Sequence, residues 1–197
     1  QVNSERTGFY RVFRLTAVYD LVQRLVRSED KLRRYVSAHI RPFDGARILD
    51  IGAGTGSVAK FLGDAFYLGI EPNPIYVADF NDRYGTDTKR LIAGTTFTVP
   101  VEDSAFDIVI ITAVIHHVPD KEAKFILGYA QRALKSGGRL VLLDSVLHEG
   151  QGLLSRFFVS QDRGKHIRGE LAYKALFAEM KLNLSLIHIS EPTRPER

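Results

Sequence analysis

Residues 48–56 read ILDIGAGTG, a short apolar run carrying one acid, Asp50, and closed by glycines at alternate positions, Gly52, Gly54 and Gly56. So short a run ended by glycines predicts a buried strand, Arg47 to Ile51, followed by a loop and a helix over Thr55 to Leu62. The same alternation continues downstream. Ala65 to Ile70 reads as a second strand ending at Glu71, and Asn73 then caps a helix with Pro74 at its first position and Gly85 past its end. Leu91 to Ala93 is a weak third strand. Asp107 to Thr112 is β-branched and almost wholly apolar, as a central strand covered on both faces should be. A helix over Asp120 to Leu134, ended by Gly137-Gly138, leads into a fifth strand, Arg139 to Asp144. Strands alternating with helices imply right-handed crossovers, so the fold class is α/β, a doubly wound, mostly parallel sheet.

Upstream the pattern is helical. Phe9, Phe13, Ala17, Leu21 and Leu25 recur every fourth position, and Ser28 is placed to cap a second helix whose apolar face carries Leu32, Tyr35, Val36, His39 and Ile40. Arg41 to Gly45 breaks it. The expected division is 1–44 N-terminal helices on the lid or substrate side, 45–183 the binding core, and 184–197 a tail.

Composition narrows the classes. The chain has 197 residues, 45% hydrophobic and 25% charged, which suits one globular domain. No run approaches the ~18 apolar residues of a membrane span, and the polar, basic start has no apolar stretch of the kind a secretory signal carries. There is no cysteine, which excludes disulfides, thiolate zinc sites and a cysteine nucleophile, and fits a cytoplasmic location. The net charge of +4 is concentrated at the front, with ten Lys/Arg against five Asp/Glu in residues 1–47. Without a dense basic patch interleaved with aromatics, nucleic acid is not an expected partner, and solvated helix faces account for the charge.

In a sheet of this kind ligands bind beyond the carboxyl ends of the strands. Those ends are polar here: Asp50 and its glycine loop, Glu71, Thr112 ahead of His116-His117, and Asp144. A dinucleotide fingerprint needs a third glycine at its sixth position; counting from Gly52, that position is Ser57. Asp50 would repel a pyrophosphate and suits an amine-bearing ligand, while Glu71, nineteen residues past Gly52, is placed to accept from both hydroxyls of a ribose.

Loop, spacing and strand context together resemble the class I S-adenosylmethionine-dependent methyltransferases over about residues 9 to 180. ILDIGAGTG, GIEPNP, FDIVIITAVIHHVPD and LKSGGRLVLLD are similar to that family's successive motifs, and the DRGKHIR stretch, 162–168, resembles uncharacterised bacterial members. The resemblance implies a Rossmann-like fold, S-adenosyl-L-methionine as cofactor and methyl transfer to a small-molecule oxygen, nitrogen or carbon, with no metal. It implies a cofactor site of Asp50, Gly52, Ala53, Gly54, Gly56, Glu71, Pro72 and Thr112. Family members often carry an acid after strand three, beside the adenine amine; Gly94-Thr95-Thr96-Phe97 has none, so Thr95 and Thr96 are the expected substitutes. His116 and His117 are the base candidates should the acceptor lose a proton, with local hydrogen bonding and pocket shaping as their alternative roles. Tyr10, Phe13 and Tyr19 are placed to close as a lid or simply to pack on the sheet. Asp144 faces the site or caps a loop, and Arg163 or Arg168 would hold an anionic substrate or form surface salt bridges. His39 is a core or boundary residue, and neither His148 nor His166 has metal-ligand spacing.

Two rivals stay in view, a nicotinamide-dependent oxidoreductase and a non-catalytic binding module with this fold. A nucleic-acid methyltransferase would carry an Asn-Pro-Pro-aromatic motif after strand four, which is absent. Residues 184–194, LSLIHISEPTR, resemble the translation of a sequencing-library adapter, so the tail is expected to be non-native and the chain a C-terminally shortened fragment. A sixth strand beginning at Lys181 to Leu184 would then lack its neighbour, leaving an aggregation-prone sheet edge. Oligomeric state is not legible.

Overall fold

The computed structural model describes residues 29–147, 166–178 and 180. Helix α1 (Glu29–Tyr35) runs into a π turn, Val36–Ile40, which Arg41 closes in the left-handed conformation. Strand β1 (Arg47–Ile51), a five-residue 3-10 turn (Ser57–Phe61), β2 (Phe66–Glu71), α2 (Pro74–Tyr84) and β3 (Lys89–Ala93) follow. Then come β4 (Phe106–Thr112), a 3-10 turn (Ile115–His117), α3 (Asp120–Ala133) and β5 (Leu134–Leu143). A short parallel pair, β6 (Val146–Leu147) with β7 (Arg168–Gly169), precedes α4 (Glu170–Ala178). The main sheet is parallel throughout in the order β3-β2-β1-β4-β5. The order reverses at β1, which places the switch point between the ends of β1 and β4.

Alternation along the central strands explains why both faces are covered. Ile48, Ile108 and Ile110 pack with Leu32, Val36, Ile40 and Phe80 on one side of the sheet. Leu49, Ile51, Val109 and Ile111 pack with Ala123, Leu127, Ala130 and Phe177 on the other. Residues 29–40 therefore share a core with the strands.

Several elements depart from expectation. The helix expected over Thr55 to Leu62 is a 3-10 turn only, because Gly56 is left-handed (φ 66°) immediately before it and Leu62 leaves helical geometry after it. β3 begins two residues early. β5 begins at Leu134, which is extended (ψ 136°) and pairs with Phe106, so Gly137-Gly138 lie inside the extended segment and do not end α3. Asn73 caps α2 as expected, its Oδ1 accepting from the Ile75 amide at 3.0 Å. The first N-terminal helix, with Tyr10, Phe13 and Tyr19, lies outside the described residues, as do the strand expected from Lys181 and the tail 184–197. Among the described residues β5 pairs with β4 alone in the main sheet. No helix among them is long and apolar enough to cross a membrane.

Candidate functional site

Four strand ends converge on one edge of the sheet. Gly52, Gly54 and Gly56 all have positive φ (73°, 55° and 66°), so each second residue of the loop turns left-handed. At Gly52 a Cβ would stand 2.4 Å from Val114 Cγ2, so the loop reaches the β4 turn only without a side chain there. At Gly54 a Cβ would meet nothing within 4 Å, and this part of the loop faces open space.

Glu71, 1% exposed, ties the loop to the next strand. Its Oε2 accepts from the Gly54 amide and its Oε1 from the Asn73 amide, both at 2.8 Å. Burial raises its pKa, and the two amides work against that rise.

Asp50, 4% exposed, lies at the end of β1 and accepts from the Tyr67 hydroxyl at 2.9 Å. Burial pushes its pKa up to about 7, against the lowering effect of that hydrogen bond, and the charge of Glu71 raises it further. Beside it the buried hydroxyls of Tyr35 and Thr112 approach each other, and neither completes a hydrogen bond among the described residues. Burial, with the Asp50 charge, lifts Tyr35 to about 12. A carboxyl whose folded pKa exceeds its ordinary 3.8 adds stability that is full below that value and lost as pH rises through about 7. Asp50→Asn is therefore expected to melt several degrees above the parent at pH 8, the gap narrowing toward pH 5, in thermal scans at both pH values.

On the β4 and β5 side, Ala113 is left-handed (φ 55°), at a cost of about 1 kcal/mol. Its amide donates to Leu143 O at 2.8 Å. This strained turn presents His116 and His117. The His116 ring hydrogen-bonds through Nδ1 to Asp144 Oδ1, and the His116 amide donates to Asp144 Oδ2 at 3.1 Å. Both side chains are buried. The His117 ring lies tilted at 44° against the His116 ring, 3.9 Å between centroids; burial and the neighbouring imidazole lower its pKa to about 4, so it is neutral at pH 7. Asp144 thus serves the His116 turn.

Arg168, read from sequence as an anion holder or a surface salt-bridge partner, pairs with the largely exposed Asp120 while its own side chain is buried. It is 7% exposed and donates to Asp120 Oδ1 (2.7 and 2.9 Å) and to the carbonyls of Ile115, Val118 and His166. Its donors clamp the His116-His117 turn from both ends. Arg163 and His148 lie outside the described residues.

A cleft opens between the ends of β1 to β4, lined by Gly52, Ile70, Pro72, Gly94, Thr95, Thr96, Phe97, Val114, Glu122 and Ile126. It gathers Gly52, Pro72, Thr95 and Thr96 as a set. Phe97, Val114, Glu122 and Ile126 join them without having been expected: Phe97 and Val114 follow strand ends closely, whereas Glu122 and Ile126 come from α3 and carry no sequence signal of a site. Among the described residues no three potential metal ligands cluster. Left-handed glycines beside open space, unsatisfied hydroxyls at Tyr35 and Thr112, and two buried carboxylates would fit a ligand that carries both an amine and a diol.

Residues 49–142 match the methyltransferase domain family. An uncharacterised methyltransferase of Geobacillus sp. (strain WCH70) is 26% identical over 125 residues, 62% of this chain and 58% of that protein. The 27-O-demethylrifamycin SV methyltransferase of Amycolatopsis mediterranei is 34% identical over 110 residues, 52% of this chain and 40% of that protein. The chain thus spans about half the length of these relatives. The crystal structure of the YcgJ protein from Bacillus subtilis superposes with a TM-score of 0.61 at 24% identity, covering 75% of this chain and 65% of that one.

Proposed function

We propose that the chain binds S-adenosyl-L-methionine and transfers its methyl group to a small-molecule acceptor, a reading supported by the match of residues 49–142 to the methyltransferase domain family and by the doubly wound parallel sheet. What carries this reading is the buried unit in which Glu71 joins the left-handed glycine loop to the start of α2 beside the cleft. Each oxygen of Glu71 accepts one backbone amide and retains a second lone-pair direction, enough for a ribose diol. Asp50 suits the ammonium of an amino acid, and the Thr112 hydroxyl, buried without a hydrogen-bond partner among the described residues, would be available to the bound cofactor. When bound, the cofactor supplies a methyl on a sulfonium that is already a good leaving group. The protein has then to align the acceptor and exclude water.

For a hydroxyl acceptor, His116 is the base we infer. Asp144 at Nδ1 fixes the tautomer in which Nε2 is the basic nitrogen. His117, at about 4, is too weak a base for that role near neutral pH. A nicotinamide enzyme on a similar sheet remains the rival, and Ser57 and the acid at Asp50 count against it. Calorimetric titration with S-adenosylhomocysteine beside NADH separates the two. Micromolar binding of the thioether alone is expected, and binding of NADH alone would overturn the reading.

A further inference from the structure

Tyr67 lies near the start of β2, yet its hydroxyl reaches the ligand end of β1 and donates to Asp50 Oδ2 at 2.9 Å. The register makes this reach possible. Tyr67 pairs with Ile48, and the residue opposite Asp50 is Gly69, where a Cβ would stand 3.2 Å from the Tyr67 hydroxyl. The phenol therefore lies along the strand, in space that a side chain at 69 would crowd. Its ring packs against Phe80, with centroids 5.9 Å apart. Burial, and then the Asp50 charge, hold the Tyr67 hydroxyl well above its ordinary range, so it remains a donor. Asp50 Oδ1 has no hydrogen bond among the described residues. The groups facing Asp50 are Tyr67 and Glu71 from β2, Tyr35 from α1 and, beside Tyr35, Thr112 of β4. None is a cation, and among the described residues neither Asp50 nor Glu71 forms an ion pair. Glu71 has two amide donors that favour its ionised form, whereas Asp50 has one hydroxyl. A proton taken up by the two acids therefore resides on Asp50, which burial lifts to about 7.

Resting on the S-adenosylmethionine reading above, we propose that Tyr67 is a positioning residue, which holds Asp50 Oδ1 toward the ligand's ammonium and lets Asp50 release its proton to solvent as that ammonium binds. A donor to the charged form favours that form, and the incoming cation favours it further. Ligand affinity then rises with pH until Asp50 is ionised in the free chain, and flattens above. A tyrosine that only fills the core beside Phe80 would leave no such pH signature.

The test is calorimetric titration of the full chain with S-adenosylhomocysteine at pH 6 and pH 8.5, in buffers of differing ionisation enthalpy. The control ligand is 5′-methylthioadenosine, which lacks the amino-acid group. The parent is expected to release most of a proton with S-adenosylhomocysteine at pH 6 and none with the control. Tyr67→Phe loses the donor and keeps the ring, so its affinity for S-adenosylhomocysteine should fall about tenfold at pH 6 and stay within about threefold of the parent at pH 8.5. An equal loss at both pH values, or no proton release by the parent, would overturn the assignment. Asp50→Asn should abolish the proton release; release that persists in it would place the proton elsewhere and overturn the assignment even where Tyr67→Phe does not fold. Failure of the folded parent to bind either compound would remove the cofactor reading and this assignment with it.

Discussion

Glu71→Ala is expected to weaken S-adenosylhomocysteine binding roughly a hundredfold or more while leaving a folded chain. Two effects act on ligand affinity in the same direction. The variant removes the acceptor proposed for the ribose diol, where hydrogen bonds to a charged group are worth about 1.5–3 kcal/mol each. It also releases the Gly54 and Asn73 amides, both held at 2.8 Å, so the loop that should cradle the ligand loses its tether to the second strand. On stability the effects oppose. Two amides lose their partner, but a carboxylate that is 1% exposed no longer has to be buried. The predicted outcome is a small change in melting temperature beside a large loss of binding. Glu71→Gln should fall between, since one of its terminal atoms can still accept and the other, an NH2, would face an amide donor. Binding of Glu71→Ala within threefold of the parent would remove Glu71 from the site.

The parts of this fold that were legible are those whose physics is local. β1 and α2 fall where expected because an apolar run, an asparagine cap, Pro74 and Gly85 each act on their immediate neighbours. β3 was largely hidden: Lys89 and Arg90 make an edge strand read as surface, and Lys89 turns out to donate to the carbonyls of Ala59 and Gly63. The start of β5 was masked by glycines that ordinarily end a helix. At the site, the strand-end acids and the glycine loop were visible as residue types, but their pairings were not. Glu71 meets Gly54 across 17 residues and His116 meets Asp144 across 28, separations that only the sheet order closes.

Arg168→Ala should cost about 3 kcal/mol, or roughly 10 °C in melting temperature for a chain of this size. An arginine in sequence suggests a surface or an anion, but this one is 7% exposed and is used as a bracket. Its Nη1 donates to Ile115 O and its Nη2 to Val118 O, both at 2.8 Å, on either side of His116 and His117. Removing it leaves buried carbonyls without their strongest donor, and an unsatisfied buried acceptor costs ~1–3 kcal/mol. The pair with Asp120 contributes less, because that carboxylate is largely exposed and screened. Asp120→Asn should therefore cost well under half as much as Arg168→Ala. Arg168→Lys should resemble alanine more than arginine, since one ammonium cannot span both carbonyls and Asp120 with the geometry of a fork. Thermal melts of the three variants rank these terms. If Asp120→Asn matched Arg168→Ala, the ion pair and not the carbonyl bracket would hold the turn. Because the His166 amide also donates to His116 O at 3.2 Å, the segment before α4 grips the same turn from its backbone. The geometry of the inferred base thus depends on residues some fifty positions downstream, and Arg168→Lys is expected to lower methyl transfer to a hydroxyl acceptor while leaving S-adenosylhomocysteine affinity close to that of the parent.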